Sequence, residues 1–167
     1  FSKYESFVFI PQVASEERWV TAPWDTKEYE LAPISSSMRM TFQALDRFIK
    51  KNRSIDRTRI YVMGLSMGGW GTWDAISRRP EFFAAAVPIC GSGDPVQASK
   101  LTNLPIWAWH GERDEVISVT GSQKMVRAID DAGGKIRYTE IKGRGHDSWL
   151  DVWNSQELWK WLYEQRR

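Results

Sequence analysis

Residues 64–69 read G-L-S-M-G-G and place a hydroxyl nucleophile between glycines. An apolar run at 60–63 precedes them, and a helix-like stretch follows. A strand, a sharp turn and a helix in this order predict a nucleophile elbow, with Ser66 exposed on a strained turn. A glycine-rich turn with an incidental serine is the alternative interpretation, and the flanking pattern disfavours it.

The helix predicted after the elbow begins near Met67. Its positive N-terminal end would lie under Ser66 and favour the anion that forms when a hydroxyl attacks a carbonyl group. The backbone N–H of Met67 is therefore a predicted oxyanion donor. The flanking glycines Gly64, Gly68 and Gly69 would let the strand and the helix approach closely.

A serine hydroxyl needs a general base, and the sequence offers two histidines. His146 lies in a glycine-rich loop after the last apolar run, where its imidazole could reach the elbow. His110 ends an earlier apolar run, and we interpret it as a structural histidine bonded to loop backbone. His146 is therefore the predicted base.

The base in turn needs a carboxylate that fixes its tautomer and stabilises its charge. Asp114 follows the run that ends at His110 and is the predicted acid, with Glu112 and Asp147 as alternatives. Asp147 is disfavoured because a residue next to His146 seldom places its carboxylate behind that ring.

Apolar runs alternate with helical patterns along the chain. The predicted strands are 7–10, 60–63, 84–90, 105–110 and 136–141. Helical spacing of apolar residues predicts helices around 38–49, 67–79, 125–129 and 158–162. This order predicts an α/β fold, a mostly parallel sheet flanked by helices, with the reactive groups at the carboxyl ends of the strands.

The motifs together resemble one known family. Residues 64–73, 85–94, 105–114 and 145–149 look like the bacterial carboxylesterase and phospholipase-like branch of the α/β-hydrolases. This branch is close to feruloyl esterases, polyhydroxybutyrate depolymerases and prolyl oligopeptidase-type hydrolases, and the similarity covers about residues 7–165. It implies ester hydrolysis through an acyl-enzyme, with Ser66 as nucleophile, Asp114 as acid and His146 as base.

The resemblance also implies an earlier strand, ending in a His-Gly loop that donates a second oxyanion N–H, and the sequence from Phe1 lacks it. We therefore expect a truncated α/β-hydrolase fold in one domain, residues 1–167. That strand would lie between 7–10 and 60–63, so strand 7–10 must shift inward, stay detached or pair through another chain. The expectation is weak activity, or a homo-oligomer that completes the sheet.

The composition of the chain excludes several classes of partner and cofactor. The chain has 167 residues, and its 23 basic and 21 acidic side chains form no long block suited to nucleic acid. The single Cys90 is interpreted as a buried inert thiol, and the histidine count predicts no metal site and no cofactor. No apolar run is long enough to span a membrane. A start at Phe1 leaves cytoplasmic and signal-processed secreted origins open.

Ten tryptophans are a high number for this length. Trp149 follows His146 by three residues and is the predicted wall of a substrate pocket, with Trp19 and Trp24 as weaker candidates. Packing explains four others, which are predicted to lie in the core: Trp70, Trp73, Trp107 and Trp109.

These patterns favour a serine carboxylesterase acting on small to medium esters, with a small-molecule ester as its substrate. A peptidase of the prolyl oligopeptidase type is a second hypothesis, which the lack of a propeller domain disfavours. A catalytically silent binding module is the third. The presence of serine, acid and histidine together argues against it, since binding alone needs none of them.

Overall fold

Helices and strands alternate along the part of the chain that the computed structural model describes, residues 4–21 and 29–167. In chain order they are α1 (Ser36–Lys51), β1 (Tyr61–Leu65), α2 (Met67–Arg78), β2 (Ala85–Ile89), β3 (Ile106–Gly111), α3 (Thr120–Asp131), β4 (Ile136–Ile141), α4 (Trp149–Asn154) and α5 (Gln156–Glu164). Short 3₁₀ turns at Pro80–Phe82 and Pro95–Lys100 join the elements around β2. The alternation is the one that the sequence predicts, except that α4 was not foreseen and that no strand forms at residues 7–10.

The four strands form one parallel sheet in the order β1-β2-β3-β4. Their registers align the carboxyl ends, since Leu65 pairs with Ile89 and Ile89 pairs with Trp109. The loops after β1, β3 and β4 therefore open at one edge of the sheet. The predicted fold class, a mostly parallel sheet flanked by helices, is confirmed.

Apolar side chains fill both faces of the sheet. Along β2, Ala86 packs with residues of α1, α2 and α3, whereas Val87 and Ile89 pack with residues of α4 and α5. This alternation is the period of two that a strand imposes on a buried sheet. The four predicted core tryptophans are buried, as expected: Trp70, Trp73, Trp107 and Trp109.

Helix α1 shows why these residues form a helix. Ser35 accepts a hydrogen bond from the Met38 N–H and caps the first turn, while Lys50 and Lys51 lie in the last turn, near the negative end of the dipole. Met38 and Ile49 lie on its buried face. Within the described residues, no helix is both long and apolar enough to cross a membrane.

The predicted strand at 7–10 is wrong. Residues 7–10 have irregular backbone, and Val8 and Ile10 are exposed. Phe7 and Phe9 lie against Phe48 of α1, with ring centroids 6.0 and 5.9 Å apart. A strand needs a paired neighbour for its backbone groups, and among the described residues none joins this segment to the open edge of β1. The segment packs on α1 instead.

Candidate active site

Ser66 lies in the turn between β1 and α2. Its backbone has φ 53° and ψ −118°, a left-handed conformation that non-glycine residues rarely adopt. The Ser66 N–H donates to the Ile89 carbonyl oxygen of β2 at 3.0 Å, which holds the turn against the sheet. This strained turn is the geometry of a nucleophile elbow, as the sequence predicts.

Close approach of the strand and the helix explains why residue 64 is a glycine, but it does not explain Gly68. A Cβ atom at Gly64 would lie 2.3 Å from the Gly68 carbonyl oxygen, so this position tolerates no side chain. A Cβ atom at Gly68 would meet nothing within 4 Å. The expectation that close approach requires glycine at position 68 is therefore wrong, because a side chain there would face open space.

The structure brings the three predicted residues together. The Ser66 Oγ and the His146 Nε2 lie 2.8 Å apart, and the His146 Nδ1 and the Asp114 Oδ2 also lie 2.8 Å apart. A carboxylate only accepts hydrogen bonds, so Nδ1 carries the proton and Nε2 accepts from the hydroxyl. The arrangement suits transfer of the Ser66 proton to His146.

Asp114 is held by more than His146. Its Oδ1 accepts hydrogen bonds from the N–H groups of Val116 and Ile117, at 2.9 and 2.8 Å. Burial acts to raise the pKa of Asp114, but hydrogen bonds from His110, Ile117, His146 and Val116 outweigh it and lower the pKa to about 2. The carboxylate therefore stays ionised and aligned behind the imidazole.

The two alternative acids face other partners. Glu112 accepts a hydrogen bond from the Gly143 N–H at 2.7 Å. Asp147 lies 3.7 Å from the Arg144 guanidinium, and half of its side chain is exposed. Asp114 is the carboxylate that the structure places behind His146.

His110 is fully buried and bonded to loop backbone, as expected. Its Nε2 donates to the Ile117 carbonyl oxygen at 2.9 Å, and its Nδ1 lies 2.8 Å from the Ser122 hydroxyl. The same Nε2 lies 3.4 Å from the Asp114 Oδ2. His110 thus helps to hold the acid, a role that the sequence analysis missed. Its spacing of four residues from Asp114 was the available signal.

Cys90 lies close to Asp114 and His146. Its Sγ is 3.8 Å from the His146 carbonyl oxygen, and burial raises the pKa of the thiol to about 11. The potential ligand atoms of these three residues lie within 4.8 Å of one another, so they could in principle hold a metal ion. Such an ion would compete with the hydrogen bond from His146 to Asp114 and with the proton on the thiol.

The opposite side of Ser66 is more open. Met67 begins α2, so its N–H has no acceptor within the helix and can face an anion above Ser66. A cavity of about 390 Å³ adjoins Met67 and is lined by the loop of residues 11–19, including Trp19. Trp24, the other weak pocket candidate, lies outside the described residues.

Trp149 is the aromatic residue nearest to the reactive groups by sequence, and it contacts His146. The two rings are perpendicular, with centroids 5.3 Å apart. Trp149 is the first residue of α4 and also packs against the core formed by β2, β3 and α5. Trp149 therefore lies beside the imidazole, as predicted, and part of its side chain also packs in the core.

Comparison with known proteins identifies a family to which the chain is similar. The sequence model of the dienelactone hydrolase family matches residues 12–147. A bifunctional acetylxylan esterase/xylanase of Neocallimastix patriciarum is 28% identical over 153 residues, which cover 70% of this chain and 22% of the relative. A poly(3-hydroxyalkanoate) depolymerase of Paucimonas lemoignei is 46% identical over 43 residues, 26% of this chain and 10% of the relative.

Solved structures show the same fold. A thermostable esterase superposes with a TM-score of 0.82 and 37% identity, over 90% of this chain and 41% of that chain. The acylaminoacyl peptidase of Pyrococcus horikoshii superposes with a TM-score of 0.63 and 16% identity, over 69% of this chain and 24% of that one. The chain thus spans less than half the length of each of these relatives.

Proposed function

The chain belongs to the dienelactone hydrolase family, within the α/β-hydrolases, and we propose that it is a serine carboxylesterase that cleaves small to medium esters through an acyl-enzyme. The continuous hydrogen-bonded path from Ser66 Oγ through His146 to Asp114, with both distances at 2.8 Å, carries this proposal. A binding protein would need none of this alignment.

In the proposed reaction, the Ser66 oxygen attacks the ester carbonyl carbon while His146 Nε2 takes the hydroxyl proton. The charge that develops on the carbonyl oxygen faces the Met67 N–H and the N-terminus of α2. Asp114 stabilises the imidazolium, which then protonates the departing alcohol oxygen. Water repeats these steps on the acyl-enzyme, releasing the carboxylic acid and restoring Ser66.

The walls proposed for the substrate site are Trp149 on one side and Trp19, beside the cavity next to Met67, on the other. Tryptophan rings supply flat apolar area to an acyl or alcohol group. Because one relative is named an acetylxylan esterase, an acetylated polysaccharide is a reference substrate beside small synthetic esters.

Hydrolysis of p-nitrophenyl acetate and p-nitrophenyl butyrate by the purified chain tests the proposal, with Ser66→Ala as control. We expect release of p-nitrophenol that depends on Ser66, with a burst at high enzyme concentration from the acyl-enzyme. A folded chain without Ser66-dependent hydrolysis would favour the silent binding module. Cleavage of acylated peptides without cleavage of esters would favour a peptidase.

A further inference from the structure

Three side chains beside the nucleophile offer the donor set of a zinc site. One potential ligand atom from each of Cys90, Asp114 and His146 lies within 4.8 Å of the other two. Zn²⁺ binds thiolate sulfur, imidazole nitrogen and carboxylate oxygen, whereas Mg²⁺ and Ca²⁺ take oxygen ligands. The histidine count alone predicts no metal site, but here a thiol and a carboxylate stand where further histidines would be needed. The cluster therefore has the chemistry of a zinc site.

The spacing of these atoms is close to that of tetrahedral coordination. Zinc–ligand bonds of about 2.0–2.3 Å place neighbouring ligand atoms about 3.3–3.6 Å apart. The His146 Nδ1 and the Asp114 Oδ2 are 2.8 Å apart, so a cation between them requires a separation larger by about half an ångström. The second torsion of a histidine side chain has a broad energy minimum, so rotation of the imidazole can supply this movement.

Burial distinguishes the cluster from surface carboxylates that meet a cation by chance. The side chains of Cys90 and Asp114 are fully buried, and that of His146 is 20% exposed. A cation can therefore reach the cluster along the exposed side of the imidazole. Once bound, it would exchange most of its water for protein ligands, which is typical of zinc sites in proteins.

Ser148 provides an independent observation at the same place. Its hydroxyl group is fully buried and, within the described part of the chain, has no hydrogen-bond partner at normal geometry. Burial raises the pKa of the Cys90 thiol, whereas the Ser66 backbone and the Ser148 hydroxyl act to lower it by favouring the thiolate. The Ser148 hydroxyl thus gains an acceptor when the thiol loses its proton, and the thiolate is the form that binds a metal.

We propose that Zn²⁺ binds the Cys90 Sγ, the Asp114 Oδ2 and the His146 Nδ1, with water as fourth ligand, and reversibly inhibits the enzyme. Cys90 releases its thiol proton to solvent, and the imidazole carries its proton on Nε2 in place of Nδ1. The Nε2–H then donates to the Ser66 hydroxyl and cannot accept its proton, so the nucleophile is not activated. The inhibition rests on the proposed esterase function, whereas the binding of the metal does not.

Binding is measured without turnover in the Ser66→Ala chain, with Co²⁺ as a spectroscopic probe of the zinc site. Cys90 is the single cysteine of the chain, so a thiolate-to-cobalt charge-transfer band in the near ultraviolet reports on this residue alone. We expect this band, its loss when stoichiometric Zn²⁺ is added, and its absence when Cys90→Ala is added. A folded Ser66→Ala chain that gives no such band overturns the proposal.

Inhibition is measured in the chain with Ser66 present, with p-nitrophenyl acetate as substrate. Each rate with ZnCl₂ is corrected for hydrolysis by zinc alone and divided by the rate of the same variant in EDTA. We expect saturating Zn²⁺ to lower the rate at least about ten-fold, EDTA to restore it, and Mg²⁺ to have no effect. With Cys90→Ala, half-inhibition should require at least about ten-fold more Zn²⁺, because one of three protein ligands is lost.

Asp147→Asn is the matched control, because Asp147 offers a half-exposed carboxylate next to His146 in the sequence. Its zinc sensitivity should stay within about two-fold of that of the unsubstituted chain. Unchanged sensitivity in Cys90→Ala, or a loss of sensitivity with Asp147→Asn, overturns the proposal. Circular dichroism checks the fold, and Cys90→Ser replaces Cys90→Ala if that variant does not fold. Failure of the esterase function is seen separately, as hydrolysis that does not depend on Ser66, and leaves the cobalt band unaffected.

Discussion

On one side of Ser66, the loops after β3 and β4 hold Asp114 and His146 through hydrogen bonds of 2.8 to 2.9 Å, and the carboxylate is fully buried. On the other side, the irregular loop of residues 11–19 borders a cavity beside Met67, and β1 lies at the edge of the sheet. Strands β2 and β3 are buried throughout, whereas every residue of β1 is partly exposed.

The difference separates two parts of the proposed chemistry. Proton transfer depends on groups that β3, β4 and their loops position within the described residues. Stabilisation of the oxyanion rests on the N-terminus of α2, where the structure places the Met67 N–H. We therefore expect that damage to the groups around Asp114 and His146 abolishes activity, and that the Met67 N–H contributes separately by stabilising the oxyanion.

The largest expected effect comes from removing the nucleophile. Ser66→Ala should lower kcat for p-nitrophenyl acetate by about 10⁴ to 10⁶-fold, because the imidazole then has no hydroxyl to activate. The fold should not change, since alanine adopts the same backbone conformation with similar strain, and thermal unfolding checks this. Residual turnover within ten-fold of the unsubstituted chain would show that another group attacks the ester.

The second largest effect is expected from Asp114→Asn, which removes the carboxylate behind His146. The amide cannot stabilise an imidazolium and favours the wrong imidazole tautomer, so kcat should fall by about 10⁴-fold. Asp147→Asn is the matched control, because Asp147 lies beside Arg144 and not behind the imidazole, and its effect should stay within about two-fold. A larger loss with Asp147→Asn would assign the acid to that residue instead.

Gly111→Ala, at the end of β3, tests the packing of that strand against the loop that carries His146. A Cβ atom there would lie 2.2 Å from the Gly145 carbonyl oxygen, in the loop that carries His146. We expect a loss of about 1–3 kcal/mol in the free energy of unfolding from overpacking, and about 10²-fold in kcat/KM from displacement of the imidazole.

Gly145→Ala is the stability control for that variant, because its Cβ atom would meet other atoms only at 3.8 Å and beyond. Urea denaturation should show a much smaller change in the free energy of unfolding. Equal destabilisation by the two substitutions would mean that the close contact between β3 and the His146 loop is not the cause of the loss of stability in Gly111→Ala.

The role of the Met67 N–H as an oxyanion donor is tested by replacing the carbonyl oxygen of the substrate with sulfur. A thiolate anion accepts hydrogen bonds poorly, so the rate ratio between p-nitrophenyl acetate and its thiono analogue reports on the donors. With the Met67 N–H as a donor we expect about 10²-fold, after division by the ratio for base hydrolysis, because one donor contributes about that much to the rate. A ratio near one would show that the Met67 N–H does not face the oxyanion.

The smallest effect concerns pH and stability. The pKa of Asp114 is lowered from 3.8 to about 2 in the folded chain. A lowered pKa stabilises the fold above the unfolded value and loses that contribution as pH falls through the folded value. The free energy of unfolding should therefore fall between about pH 4 and pH 2, and less steeply for Asp114→Asn. Urea titrations at three pH values measure both slopes, and equal slopes would contradict the assignment.

Local sequence patterns predicted most of the elements, because their signals are local. Apolar periodicity located β1 to β4 and the helices α1, α2, α3 and α5 to within a few residues. The strand predicted at residues 7–10 is wrong because an apolar run indicates only that its side chains favour burial. It does not indicate whether a neighbouring strand is present to pair with it. Helix α4 was missed because its six residues are too few to show a period.

The sequence by itself determined the elbow at Ser66 and the loop that carries His146, because the turn chemistry and the glycines lie within a few residues of each side chain. Only the tertiary structure decided among Glu112, Asp114 and Asp147, because that choice depends on the distance between the loops after β3 and β4. The stacking of Trp153 on Trp159 also arises from packing, here between α4 and α5. Such contacts leave no periodic signal in the chain.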